Sequence, residues 1–187
     1  MKRIAIFASG SGTNAERLAE YFKTSTSARV VLILSNRPDA FVLQRAAQLG
    51  IQSCVFSREE LHREDGVLHL LLEQKIDFVV LAGFLWLVPS PLISAFKGKI
   101  VNIHPALLPK YGGKNMYGQR VHQAVIAAGE KESGITIHRV DEVYDNGAIL
   151  FQAKCAIHAD DTAQTLASKI HQLEYAHFPK VVEDLLK

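Results

Sequence analysis

"RIAIFASGSGTNAERLAEYF", residues 3–22, is the stretch that decides the fold. Ile4 to Ala8 form a short apolar run of the kind that makes a buried strand, "SGSGTN" is a glycine-rich turn, and Leu18 with Tyr21 or Phe22 recurs at helical spacing. Strand, turn and helix then repeat. "RVVLILS" is a second buried-type strand, "AFVLQRAAQLG" a helix closed by Gly50 in a C-terminal cap position, and "IQSCVF" a third, weaker strand. The order β-α-β-α-β predicts a parallel sheet.

Residues 58–75 carry Leu61, Val67, Leu68, Leu71 and Leu72 and fit one further amphipathic helix, its start weakened by Gly66. "DFVVLAGF" is the most strand-like run of the chain, and "PSPLISAFKGK" a short helix that leads into a fifth strand, "IVNIHP". "QRVHQAVIAAGE" reads as a helix. "SGITIHRVDE" and "GAILFQAKCAI" read as two strands joined by "VYDNG", whose Asp-Asn-Gly favours a tight turn. A closing helix from about Asp161 places Leu166, Ile170 and Leu173 on one face, with Asp160 or Asp161 as its cap and Pro179 expected to kink or restart it. The fold class is therefore α/β: a Rossmann-like, mostly parallel open sheet flanked by helices, with an antiparallel strand pair near the C-terminus. No repeat, low-complexity tract or linker interrupts the chain, so residues 1–187 read as a single domain.

Composition narrows the function. With 48% apolar and 21% charged residues the chain has the make-up of an ordinary globular protein. A net charge of +2, from 21 Lys and Arg against 19 Asp and Glu, gives no electrostatic case for a nucleic-acid or membrane surface. Cys54 and Cys155 stand far apart, in no metal-ligand spacing, and read as reduced thiols, so no metal is expected. The apolar run behind the basic start is too short for a secretion signal, and no run approaches the length of a membrane span, so a cytoplasmic location is the default.

The chemistry-bearing residues gather where such a sheet binds ligands, outside the carboxyl ends of its strands. "GSGTNA", residues 10–15, fits the dinucleotide fingerprint G-x-G-x-x-G/A between a strand and a helix. A nicotinamide site also wants an acidic residue after the second strand, where this chain has Asn36 and Arg37, so NAD is disfavoured and only an NADP-type phosphate contact stays open. More generally, bare amides, the Thr13 hydroxyl and a helix N-terminus make a phosphate cradle; glycines needed only to turn the chain are the bland alternative. In "VNIHPALLPKYGG", residues 101–113, Asn102 and His104 alternate and so share one strand face. Asp145, in the turn that follows the next strand, could come close to them in the folded sheet, and a carboxylate beside an imidazole favours the charged ring and raises its pKa. An amide donor aimed at a developing oxyanion and a histidine that moves protons suit acyl transfer, and with no G-x-S-x-G present direct transfer is favoured over a covalent enzyme intermediate. Spacing alone equally allows Asp145 as a turn former and His138 as a plain strand residue. The segment "KYGGKNMYG" borders the crevice and fits the place of a lid.

"FASGSGTN", "VVLAGF", "NIHPALLPKY" and "GITIHRVDEVYDNGAIL" together resemble the folate-dependent phosphoribosylglycinamide formyltransferases, and the resemblance runs from the first strand to about "HQLEYAHFP". It implies a formyltransferase that moves the formyl group of 10-formyltetrahydrofolate to the amine of 5-phosphoribosylglycinamide, in purine biosynthesis, by direct attack through a tetrahedral intermediate. Carried over residue by residue, it implies that Asn102 holds the oxyanion, His104 gives a proton to the departing folate nitrogen, and Asp145 orients that ring with a raised pKa. It further implies that Gly12, Thr13 and Asn14 hold the substrate phosphate, and that His171, Gln172, Leu173 and Glu174 make the rest of the glycinamide ribonucleotide contact. For the folate it implies Leu85, Trp86, Leu87 and Val88, with Asn102, and the loop of Asp141, Glu142, Val143, Tyr144 and Asp145. Arg58 is the nearest match to a folate-contacting arginine, with Arg63 as the alternative.

Three features depart from the family pattern. Trp86 stands where many members carry an arginine facing the folate tail, Lys114 and Tyr117 give the 110–118 loop a different chemistry, and the chain ends at Lys187. A 10-formyltetrahydrofolate hydrolase would use the same three residues on water; the phosphate cradle and the start of the chain at its first strand favour transfer. An NADP-binding domain would leave Asn102 and His104 unexplained, and a methionyl-tRNA formyltransferase would need a basic RNA-binding portion. The expected partners are small molecules, with no nucleic acid and no membrane, the protein acting as a monomer or homodimer.

Overall fold

The computed structural model describes residues 1–187. Seven strands form one sheet in the order β3-β2-β1-β4-β5-β6-β7. They are β1 (Lys2–Phe7), β2 (Ala28–Ser35), β3 (Gln52–Val55), β4 (Phe78–Leu81), β5 (Ile100–His104), β6 (Glu132–Arg139) and β7 (Ile149–Ala156). The first five pair in parallel; β6 runs antiparallel to both β5 and β7. This is the Rossmann-like, mostly parallel sheet with an antiparallel C-terminal pair that the sequence predicts. The chain leaves β1 toward β2 on one side and returns to β4 on the other, so a topological switch point opens beyond the carboxyl ends of β1 and β4.

Alternation along the central strand builds two cores. Ile4 and Ile6 of β1 face one side, where α1 (Thr13–Phe22), α2 (Val42–Gln48), α6 (Gln119–Ala127) and α7 (Ala163–Leu185) cover the sheet. Ala5 and Phe7 face the other, covered by α3 (Arg58–His62), α4 (His69–Glu73) and α5 (Ser90–Ala95). Each fully buried Ile, Leu or Phe stabilises the fold by about 1.5–3 kcal/mol relative to exposure, which is why strands buried on both faces read as continuous apolar runs.

Four local expectations are corrected. The single helix expected over 58–75 is broken: α3 starts on a Ser57–Glu60 capping box, Arg63 turns extended, and a π-helical turn, Glu64–Leu68, precedes α4. At the break Gly66 packs its Cα where a Cβ would lie 2.0 Å from the Glu60 carbonyl oxygen, a close approach within the segment that glycine allows. The expected tight turn between β6 and β7 is a long loop, residues 140–148, closed by the Arg139 amide donating to the Ala148 carbonyl at 2.9 Å. The cap of α7 is Thr162, in a reciprocal box with Thr165, rather than Asp160 or Asp161. Finally, α7 runs through Pro179 without a break. The proline lacks an amide to donate and its ring crowds the carbonyl one turn back, while Phe178 and Val182, both fully buried, hold the two adjoining turns.

No helix is long and apolar enough to cross a membrane.

Candidate active site

A cleft of about 660 Å³ lies at the switch point, within the size range of small-molecule sites. The glycine-rich turn forms one end. Gly12 sits at φ 74°, the left-handed region, and a Cβ there would lie 2.3 Å from Val42 Cγ2, so only glycine fits. It precedes α1 with no side-chain cap, which leaves the first-turn amides of that helix free to bind an anion. The turn is braced from α2: the Val42 amide donates to the Gly10 carbonyl at 3.1 Å and Arg45 Nε to the Ser11 carbonyl at 2.9 Å.

Thr13 and Asn14 line this end, but Asn14 turns its Nδ2 to Glu174 Oε2, 2.9 Å away. Glu174 is 6% exposed, and burial, only partly offset by the Asn14 bond, pushes its pKa up to about 7. From α7, His171 and Glu174, three residues apart on one helical face, both line the cleft. Gln172 and Leu173 do not: Gln172 is exposed and Leu173 packs on the core. Segment 171–174 thus contributes two of the four residues carried over as substrate contacts.

The middle of the cleft holds Asn102, His104, His138 and Asp145. On β5, Ile100 belongs to the apolar core, and two and four residues on, Asn102 and His104 emerge on the same face as that core gives out. His104 Nε2 lies 2.8 Å from the Tyr111 carbonyl, which can only accept, so Nε2 carries a proton and Nδ1 is the nitrogen free to exchange one. Nδ1 stands 3.4 Å from Asp145 Oδ2. Asp145, at φ 54°, is held by the Gly113 amide, which donates to Oδ2 at 2.9 Å. Its other oxygen faces Asn102 Nδ2 at 3.4 Å and His138 Nε2 at 3.5 Å.

His138, opposite Asn102 in the β5–β6 register, fixes the amide. Its Nδ1 donates to the Arg139 carbonyl at 2.7 Å, so in the neutral ring Nε2 accepts from Asn102 Nδ2 at 3.0 Å. One N–H of Asn102 is thereby fixed, and the second spans a long contact to Asp145.

Burial pushes His104 below the ordinary histidine value, against Asp145 and the Tyr111 carbonyl, which pull it up. The expected raised pKa is therefore corrected: Asp145 does raise the ring, but desolvation is the larger effect. Burial also works to raise Asp145, yet the neighbouring His138 and His104 rings and the Gly113 amide outweigh it, and its carboxyl lies below the usual range.

The other end of the cleft is apolar and aromatic. Leu85, Trp86, Leu87 and Val88 all line it, with Asp141, Val143 and Tyr144; Glu142 lies outside. Ser9 Oγ accepts the Leu85 amide at 3.0 Å and fixes the start of this wall. Asp141 accepts from the Val143 amide at 2.9 Å and from Asn146 Nδ2 at 3.1 Å, bracing the loop. Of the two arginines, Arg58 lines this cleft with its guanidinium 4.8 Å above the Trp86 ring, whereas Arg63 pairs with Asp65 away from it. Residues Gly113 to Gly118 form the outer wall.

Sequence reasoning missed His138, Tyr111 and Gly113. Only His138 left a signal, a histidine in the apolar alternation of "ITIH". No group of three or more His, Cys, Asp or Glu is arranged to hold a metal ion.

An open α/β sheet with an amide, a histidine and a carboxylate at its switch point and an anion cradle alongside describes a group-transfer enzyme. Residues 2–182 match the family described as formyl transferase, and the chain belongs to that family of enzymes. Its relatives make the branch plain. The chain is 36% identical over its full length to the phosphoribosylglycinamide formyltransferase of Bacillus subtilis, covering 95% of that protein. It is 40% identical, over 97% of its length, to the chloroplastic phosphoribosylglycinamide formyltransferase of Arabidopsis thaliana, and spans 64% of that protein's own length. The crystal structure of the Streptococcus pneumoniae TIGR4 phosphoribosylglycinamide formyltransferase superposes with a TM-score of 0.88 at 39% identity, each chain covered completely. The chain sits among the phosphoribosylglycinamide formyltransferases of the family.

Proposed function

We propose that residues 1–187 act as one catalytic domain that transfers the formyl group of 10-formyltetrahydrofolate to the amine of 5-phosphoribosylglycinamide, a step of purine biosynthesis. The observation that carries this reading is the commitment of His104 Nε2 to the Tyr111 carbonyl, which leaves Nδ1, beside Asp145 and facing the cleft, as the proton-exchanging atom.

The substrate amine attacks the formyl carbon, the carbon–nitrogen bond to the donor breaks, and one proton passes from the amine to the departing nitrogen. In the free protein burial keeps His104 largely neutral at pH 7, so Nδ1 takes that proton first and then delivers it. Asp145 is the counter-charge of the imidazolium in between, as a buried carboxylate beside a histidine commonly is. Asn102 offers its second N–H to the oxygen of the carbon under attack, exchanging a long contact for a shorter, charge-assisted one. His138 keeps that amide from rotating.

The free amides at the start of α1 suit the substrate phosphate, with Thr13 beside them. Glu174 and His171 face the same end and suit the ribose and glycinamide. The aromatic end suits the folate: Trp86 offers a flat face, and Arg58 returns, at the rim of this wall, the positive charge that Trp86 itself lacks.

A product assay tests the reading. With 10-formyltetrahydrofolate, tetrahydrofolate is expected only when 5-phosphoribosylglycinamide is added, in equal amount to formylated product. Free formate released without it would mean that the same residues act on water.

A further inference from the structure

His122 has no part in the mechanism above, yet its environment points to a ligand. It lies on α6, whose Val121 and Val125 are buried in the apolar core, while His122, 3% exposed, lines the cleft. Its Nδ1 is buried without a hydrogen-bond partner. Only two other side-chain atoms share that condition, Ser133 Oγ on β6, away from the cleft, and Asn14 Oδ1, which belongs to a residue of the same cleft. A buried polar atom without a partner costs stability, and a leucine or phenylalanine would fill the same space without that cost. Two of the three such atoms belong to residues that line one cleft.

Position narrows the ligand. The charges that bear on His122 are those of His171, on the α7 face beside the anion cradle, and His104, at the reacting end; both disfavour its protonation, and burial with them pushes its pKa down to about 4. No carboxylate offsets them. The ring is thus neutral at working pH, and it lies near enough to His171 and to His104 to feel both. Resting on the function proposed above, we propose that His122 is a specificity-determining contact of the ribonucleotide substrate. Its imidazole hydrogen-bonds the uncharged polar middle of that molecule, the ribose hydroxyls and glycinamide, between phosphate and amine.

Two variants test it, each assayed with 5-phosphoribosylglycinamide and 10-formyltetrahydrofolate. His122→Leu keeps the bulk and removes the polar atom; His122→Asn places an amide where Nδ1 was. The leucine variant is expected to fold and to melt no lower than wild type without ligand, since no internal hydrogen bond is lost. Its KM for 5-phosphoribosylglycinamide is expected to rise about 10- to 100-fold, with kcat and the KM for the folate within about threefold. The asparagine variant is expected to recover most of the loss. A leucine variant that fails to fold would show the ring to be structural and overturns the proposal, as does one whose KM matches wild type. If wild type itself neither binds nor formylates 5-phosphoribosylglycinamide, the proposed function falls and this contact with it; wild-type turnover with unchanged variants removes this contact alone.

Discussion

Replacing Glu174 with glutamine isolates a cost of the binding site that the fold bears. Glu174 is 6% exposed and its carboxyl titrates at about 7, against an ordinary value of 4.5, because burial disfavours the charged form. A group whose folded pKa is raised contributes stability that is present in full below its unfolded pKa and is lost as pH rises through the folded one. Wild-type stability is therefore expected to fall between about pH 4.5 and pH 7 on this group's account. The separation of the two values corresponds to about 3 kcal/mol at most. Glutamine keeps an acceptor for Asn14 Nδ2 and never ionises, so the variant is expected to be more stable than wild type by up to that amount at pH 8 and nearly equal at pH 4.5. The histidines His104, His122 and His171, all lowered chiefly by desolvation, titrate in the opposite sense, their contribution being lost on acidification. They are common to both proteins, so the difference between the two urea-unfolding curves, taken at several pH values, reports Glu174 alone. A difference that does not change with pH would refute the reasoning.

Asp145→Asn removes the charge that pulls His104 up, so the acidic limb of kcat/KM against pH is expected to move to lower pH while the rate falls by ~10²–10⁴; a limb that stays in place would break the link between the two residues. Gly12→Ala forces a side chain into a left-handed backbone position and against Val42, and a loss of about 2 kcal/mol or more in urea unfolding is expected, with weaker phosphate binding. Arg58→Ala is expected to raise the KM for a polyglutamylated folate more than that for one lacking the glutamate tail, whereas equal effects would point to Arg58 as packing for Trp86 only.

The central strands were legible because burial on both faces writes a continuous apolar run, and the cleft followed from their parallel order. Asn102 and His104 were legible for the same reason, being polar residues at alternate positions of such a run. His138 was not, because its role depends on antiparallel register with a strand some 36 residues earlier, which no local pattern encodes. Contiguous segments carried over from the family line the cleft only in part: on α7 residues three apart share a face, so His171 and Glu174 line it while Gln172 and Leu173 do not, and in the loop braced by Asp141 Glu142 is not among the lining residues. The break at Gly66 turns on a close approach to the Glu60 carbonyl within the same segment, and the continuity through Pro179 on the burial of Phe178 and Val182. The direction of the His104 shift turned on the extent of its burial, which the sequence does not state.

The most direct single measurement is the single-turnover rate of His104→Ala beside the Kd of the same variant for 5-phosphoribosylglycinamide. If Nδ1 of His104 carries the proton from amine to departing nitrogen, the rate is expected to fall by ~10²–10⁴ with Kd unchanged within about threefold. A rate close to wild type would contradict that role.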